Sequence, residues 1–262
     1  VRLFTVRAGE GRPVVLLHGL TATHRYVVMG SRALERSGHD VLAYDARGHG
    51  ESDPAPRPDA YTYEDLAGDV IDQMDAAGME RAVLAGASMG AHTAVRVALR
   101  HPERVAGLVV ITPAYDPDAW PGDLSVWDGR ERALREGGVE AFIKHEIALG
   151  LPEERRETLI TVMRQRLSAH RHPDAVADAL HHVPRSRPFE SWADLRALSV
   201  PTTVIADRDD YDPGHPLAVG ERYAAEIPGA ELVVEEPGQS PLAWQGAQVS
   251  KVIARVAEEA NL

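Results

Sequence analysis

Cysteine is missing from all 262 residues, which excludes disulfides, thiolate catalysis and cysteine-ligated zinc at once. Lysine is nearly missing too, with only Lys144 and Lys251. The 28 Lys and Arg against 40 Asp and Glu give a formal charge of −12. No basic stripe forms, so nucleic acid and anionic membrane surfaces are poor partners. No apolar run approaches the roughly 20 residues of a spanning helix, and the first residues carry no signal-like apolar core. The simplest reading is a soluble cytoplasmic protein acting on a small molecule, with its oligomeric state left open. A last absence bears on chemistry: no histidine occurs after His215.

What is present is a rhythm. Short runs rich in Val, Leu and Ile recur at 13–17, 41–44, 82–86, 107–111, 201–206 and 231–234. Continuous apolar runs of this length suit strands covered on both faces of a parallel sheet. Helical stretches fall between and after them, near 23–37, 63–78, 89–100, 217–227 and 241–259. Thr62 and Gly38 stand as boundary residues. Alternation of this kind predicts an α/β, doubly wound, mostly parallel sheet. The rhythm breaks from about Tyr115 to Ser191, where prolines flank helical candidates near 128–149, 152–169 and 173–182. We read 1–114 and 191–262 as the core and 115–190 as a helical lid over the sheet's carboxyl edge.

Gly86-Ala87-Ser88-Met89-Gly90 lies between the 82–86 run and the helical AHTAVRVALR. Small residues two before and two after Ser88 allow a strained turn that exposes a hydroxyl at a strand's tip, where a helix N-terminus favours a developing anion. His18-Gly19-Leu20 closes the 13–17 run. A glycine there lets the Leu20 amide turn toward the serine and join the Met89 N–H in an oxyanion hole. His18 itself is read as structural. Asp45 to Asp53, with paired glycines and alternating charge, suits a loop knotted by Arg–carboxylate bonds.

In this order, HGL, YDARGHGESD, GASMG, a helical insertion and PTTVIADRDD, the chain resembles the α/β-hydrolase superfamily of esterases, lactonases and related enzymes. The resemblance covers nearly the whole chain. It implies Ser88 as nucleophile, Leu20 and Met89 as the oxyanion hole, an acid after the 201–206 strand and a base after the 231–234 strand. Asp207 stands where the family usually has a glycine, and the acid usually follows three positions later. That points to Asp210, with Asp209 next. No metal or organic cofactor is implied.

The base is where the chain departs from the family. Gly238 is followed by Gln239, where a histidine is expected, and an amide cannot accept a proton near neutral pH. Losing the histidine of a serine triad can cost about 10⁶ in turnover. Three readings stay open: an engineered replacement at 239, a surrogate base among His24, His92 and His215, or a pocket that has given up hydrolysis. The last covers a silent ligand-binding protein and a cofactor-free oxygenase or lyase. The function expected is hydrolysis of a small carboxylic ester or lactone. His170, His172, His181 and His182 in the insertion are read as exposed polar residues rather than metal ligands. Trp120, Trp127, Phe142, Trp192 and Trp244 fit a pocket wall and ordinary core packing equally well.

Overall fold

The computed structural model describes residues 1–208, 212–260 and 262, with only the backbone of Glu154. Among the described residues seven strands form one sheet in the order β1-β3-β2-β4-β5-β6-β7. They are β1 (Thr5–Ala8), β2 (Arg12–Leu17), β3 (His39–Tyr44), β4 (Ala82–Ala87), β5 (Val105–Ile111), β6 (Thr202–Ala206) and β7 (Glu231–Val234). Only β1 runs antiparallel, pairing Thr5 with Tyr44 through Ala8 with Val41. The others are parallel.

The apolar runs behave as two-sided strands. Val15 and Leu17 of β2 join one core cluster, and Val14 and Leu16 join another, as a period of two requires. The first cluster packs under α2 (Tyr63–Ala76), α3 (Met89–Arg100) and α7 (Leu217–Glu226), and the second under α1 (Ala33–Arg36) and α8 (Gly246–Glu259). Thr62 caps α2 as its position predicts: its hydroxyl accepts from Asp65 N–H, and Asp65 carboxylate accepts from Thr62 N–H. Such a box satisfies two helix-end donors.

Two local expectations change. The helix predicted over 23–37 is a single 3-10 turn at His24–Tyr26 followed by the one-turn α1. Met29 and Gly30 both take positive φ between them, which no right-handed helix allows. β1 has no apolar run to announce it, because it is a four-residue, mostly exposed edge strand.

Between β5 and β6 the described residues form α4 (Ser125–Gly150, broken at Gly138), α5 (Arg156–Ser168) and α6 (Pro173–His182). Their positions follow the predicted helices closely. They share a small core of their own through Leu134, Phe142, Leu167, Val176 and Leu180. Trp192 joins the first core cluster, and Trp120 packs at its edge with its indole N–H on Pro184 carbonyl. No helix among the described residues is long and apolar enough to cross a membrane.

Strand order reverses between β2 and β4, since β3 lies on one side of β2 and the chain then crosses to the other. The carboxyl ends at such a switch point leave a crevice where open α/β sheets bind ligands. His18-Gly19-Leu20 leaves one strand there and Ser88 the other.

Candidate active site

Ser88 sits between β4 and α3 with φ 51° and ψ −113°. A non-glycine residue there carries strain of about 1–3 kcal/mol, which neighbours must hold in place. Close packing does so. A Cβ on Gly86 would lie 2.2 Å from Gly90 carbonyl oxygen, and one on Gly90 would lie 2.1 Å from Leu17 carbonyl oxygen. Only glycine permits α3 to start so near β2. Ser88 N–H donates to Ile111 carbonyl at 2.9 Å, and Ser88 carbonyl accepts from His92 N–H at 3.0 Å. Gly19 lies against Ser88, its Cβ direction ending 3.4 Å from Ser88 Cβ. The Leu20 and Met89 N–H groups donate to no acceptor among the described residues.

The ring that reaches the serine is His215. Its Nε2 lies 2.9 Å from Ser88 Oγ, and its Nδ1 lies 2.8 Å from Asp212 Oδ2. Nδ1–H therefore donates to Asp212, and Nε2 accepts from the serine hydroxyl. Both side chains stand on the connection between β6 and α7 and are about a quarter exposed, 26% and 22%. Burial works against ionisation of Asp212. His215, by charge and hydrogen bond, and the Arg166 guanidinium outweigh it and hold the carboxyl below its usual range.

The other predicted residues fall elsewhere. His92 is buried, with Nδ1–H on Tyr63 hydroxyl and Nε2 accepting from Ala114 and Tyr115 N–H. Burial, then the neighbouring His215, push its pKa to about 3, so it is a neutral strut rather than a base. His24 bonds Asp45 through both its backbone N–H and Nδ1, and makes no bond to Ser88. Gln239 is exposed, and its backbone N–H caps a turn on Glu236 carbonyl. Asp210 and Asp209 lie outside the described residues. Asp212, the last of the four carboxylates in 207–212 and not the one the spacing points to, carries one usable signal: it stands three residues before the last histidine.

The surrounding loops are rigid by chemistry. His18 is buried, donating from Nδ1 to Gly19 carbonyl and accepting Ala46 N–H at Nε2, which is the structural role expected of it. Burial drives its pKa to about 4. Asp45 accepts from His24 and Glu51 N–H, and Arg47 forks onto Asp69 at 2.7 and 2.8 Å, the Arg–carboxylate knot the composition predicted. His170, read as exposed, is instead buried beside this loop: Nδ1 accepts Gly50 N–H and Nε2–H donates to Thr21 carbonyl. Below the His215 loop, Asp207 is sealed from solvent and accepts from Ala243 N–H, while its second oxygen has no partner among the described residues. Burial, with Glu235 and Asp212 nearby, raises its pKa to about 7.

Such a site on such a sheet has relatives. A carbamate hydrolase RutD, provisionally so named, from Caulobacter segnis is 27% identical over 248 residues, covering 90% of this chain and 85% of its own. Its namesake in Variovorax paradoxus is 31% identical over 202 residues, 77% of this chain and 75% of its own. Among solved structures, a malate-bound thermophilic esterase from Thermogutta terrifontis superposes with a TM-score of 0.80 at 27% identity, covering 99% of this chain and 94% of that one. The enol-lactonase of Burkholderia xenovorans LB400 shares the fold, with a TM-score of 0.79, 24% identity, and 98% and 96% coverage. Residues 12–247 match the family described as the alpha/beta hydrolase fold. With the sheet order, the turn at Ser88 and the relatives in agreement, this chain belongs to the α/β-hydrolase family.

Proposed function

We propose that the protein is a serine hydrolase of small carbonyl compounds, an ester or lactone, whose base comes from the loop after β6. One observation carries the reading: a single imidazole bridges Ser88 Oγ at 2.9 Å and Asp212 Oδ2 at 2.8 Å. Ser88 attacks the carbonyl while its proton passes to His215 Nε2, and Asp212 holds the ring in the required tautomer and steadies the imidazolium. The Leu20 and Met89 N–H groups receive the oxyanion, each such donor contributing about 3 kcal/mol. His215 then protonates the leaving oxygen, and a water it deprotonates frees the acyl group. Gln239 has no part in these steps. Helices α4 to α6 act as the lid, since Arg155 just before α5 and His170 and Arg171 just after it bond to loops at the carboxyl edge. The carbamate named for the RutD relatives presents the same kind of carbonyl, so it belongs on the substrate panel.

An activated aryl ester tests this. The unmodified chain should release a burst of phenol equal to its concentration, and Ser88→Ala should abolish it. His215→Gln should lower turnover by about 10⁵–10⁶. Gln239→His should change turnover less than threefold. Rescue of several orders of magnitude by Gln239→His would place the working base at 239 and sink the assignment of His215.

A further inference from the structure

Helix α5 is anchored at both ends to loops at the sheet's carboxyl edge, where Ser88 stands. The turn before it is tied to the loop after β7, where Arg155 Nη1 donates to Ser240 Oγ at 3.3 Å. The turn after it is tied to the loops following β2 and β3, where His170 bonds Thr21 and Gly50 and Arg171 N–H donates to Gly50 carbonyl. Its buried face reads Met163, Leu167, then His170, the spacing of one helical stripe. Arg166 stands on that stripe, one turn before His170 and on the same side. A long cation occupies a place where the pattern calls for an apolar residue.

Among the described residues Arg166 is also without a carboxylate. On the same helices Arg130 holds Glu146, Arg135 holds Glu131 and Asp178, Arg156 holds Glu153 and Arg164 holds Glu140. The Arg166 guanidinium makes no ion pair or hydrogen bond among the described residues, and its Nε is sealed from solvent with no acceptor there. Its charge is felt at Asp212 on one side and at His170 on the other. Burial depresses its pKa against the pull of Tyr26, Glu146 and Asp212. The carboxylates of Glu146 and Asp212 supply a diffuse negative field without a hydrogen bond or ion pair to it. A desolvated guanidinium so placed is an unfinished ion pair, and its planar fork of donors matches a carboxylate.

Building on the serine-hydrolase reading, we infer that Arg166 binds a carboxylate of the substrate, which is therefore an ester or lactone that also carries a free carboxylate. The ester carbonyl sits on Ser88 and the anionic end reaches up to α5. Arg166 is then a specificity-determining residue. A neutral ester leaves it unsatisfied, which discriminates against such substrates by about ten- to hundredfold, the range of a charged hydrogen bond.

Two matched pairs of esters read this out. The 4-nitrophenyl monoester of adipate against 4-nitrophenyl hexanoate places the charge on the acyl side. Acetoxybenzoate substituted at the 4-position, against its methyl ester, places it on the leaving side. In at least one pair the unmodified protein should favour the anion tenfold or more in kcat/KM. Arg166→Met should erase that ratio, mainly through KM, and Arg166→Lys should restore part of it. Any loss acting through Asp212 strikes both members alike and cancels in the ratio. Ratios near one in both pairs, or a ratio untouched by Arg166→Met, would overturn the inference while leaving the serine mechanism intact. Hydrolysis of none of the four would overturn both.

Discussion

In the proposed mechanism Asp212 and His215 work as one unit, because an imidazole can serve Ser88 only while its Nδ1 keeps the proton. The carboxylate enforces that tautomer, and an amide at 212 can present an N–H to the ring and reverse it. Asp212→Asn should therefore lower kcat by about 10⁴ with little change in KM, measured by steady-state ester hydrolysis. A loss below tenfold would mean that another group orients the ring. The strained turn at Ser88 was legible in five residues, since strain, close approach and helix start are all local to 86–90. The run of bonds from Asp212 through His215 to Ser88 was not. His215 meets Ser88 across 127 positions, and counting from the strand end led to Asp210 while the bonded carboxylate stands two residues further. Arg166 was invisible for a related reason: an arginine in a helix reads as surface until the face it occupies is known.

Elements built on apolar runs were readable because both faces of a parallel strand must be buried. β5 is buried at all seven positions, and no helix of that length would demand it. Elements that depend on contact rather than composition were not readable. β1 exists because Tyr44 to Val41 offer it an edge, and 23–37 loses its helix to two positive-φ residues. The junction of β2, β4 and α3 is the element on which the site depends. Gly90→Ala would drive a methyl into Leu17 carbonyl, 2.1 Å away, and shift the strand that carries His18 and Leu20. A loss of about 1–3 kcal/mol in stability is expected from such overpacking, read by urea denaturation. The folded fraction should also lose ester hydrolysis at least tenfold. Full activity in a stable Gly90→Ala protein would show that the close approach does not set the oxyanion geometry.

At the scale of the whole molecule, the carboxyl edge of the sheet gathers neutral buried imidazoles and one reluctant carboxyl, and these titrate in opposite directions. His18 and His92, with pKa values of about 4 and about 3, take up protons more readily once unfolded. Their stabilising effect is full above the ordinary histidine range and is lost as pH falls toward 4. Asp207 does the reverse. Its folded pKa of about 7 exceeds the unfolded value near 4, so the fold binds the extra proton between those limits. Asp207 therefore costs stability as pH rises from about 4 to about 7, and the full cost persists above that window. Asp207→Asn mimics the protonated form and can still accept from Ala243 N–H through its amide oxygen. The variant should be more stable than the parent at pH 8 by on the order of 1–3 kcal/mol, with the gap closing toward pH 5. Denaturant unfolding of both proteins at pH 5 and pH 8 measures it. Equal stabilities at pH 8 would mean that Asp207 is as readily ionised in the fold as in the unfolded chain.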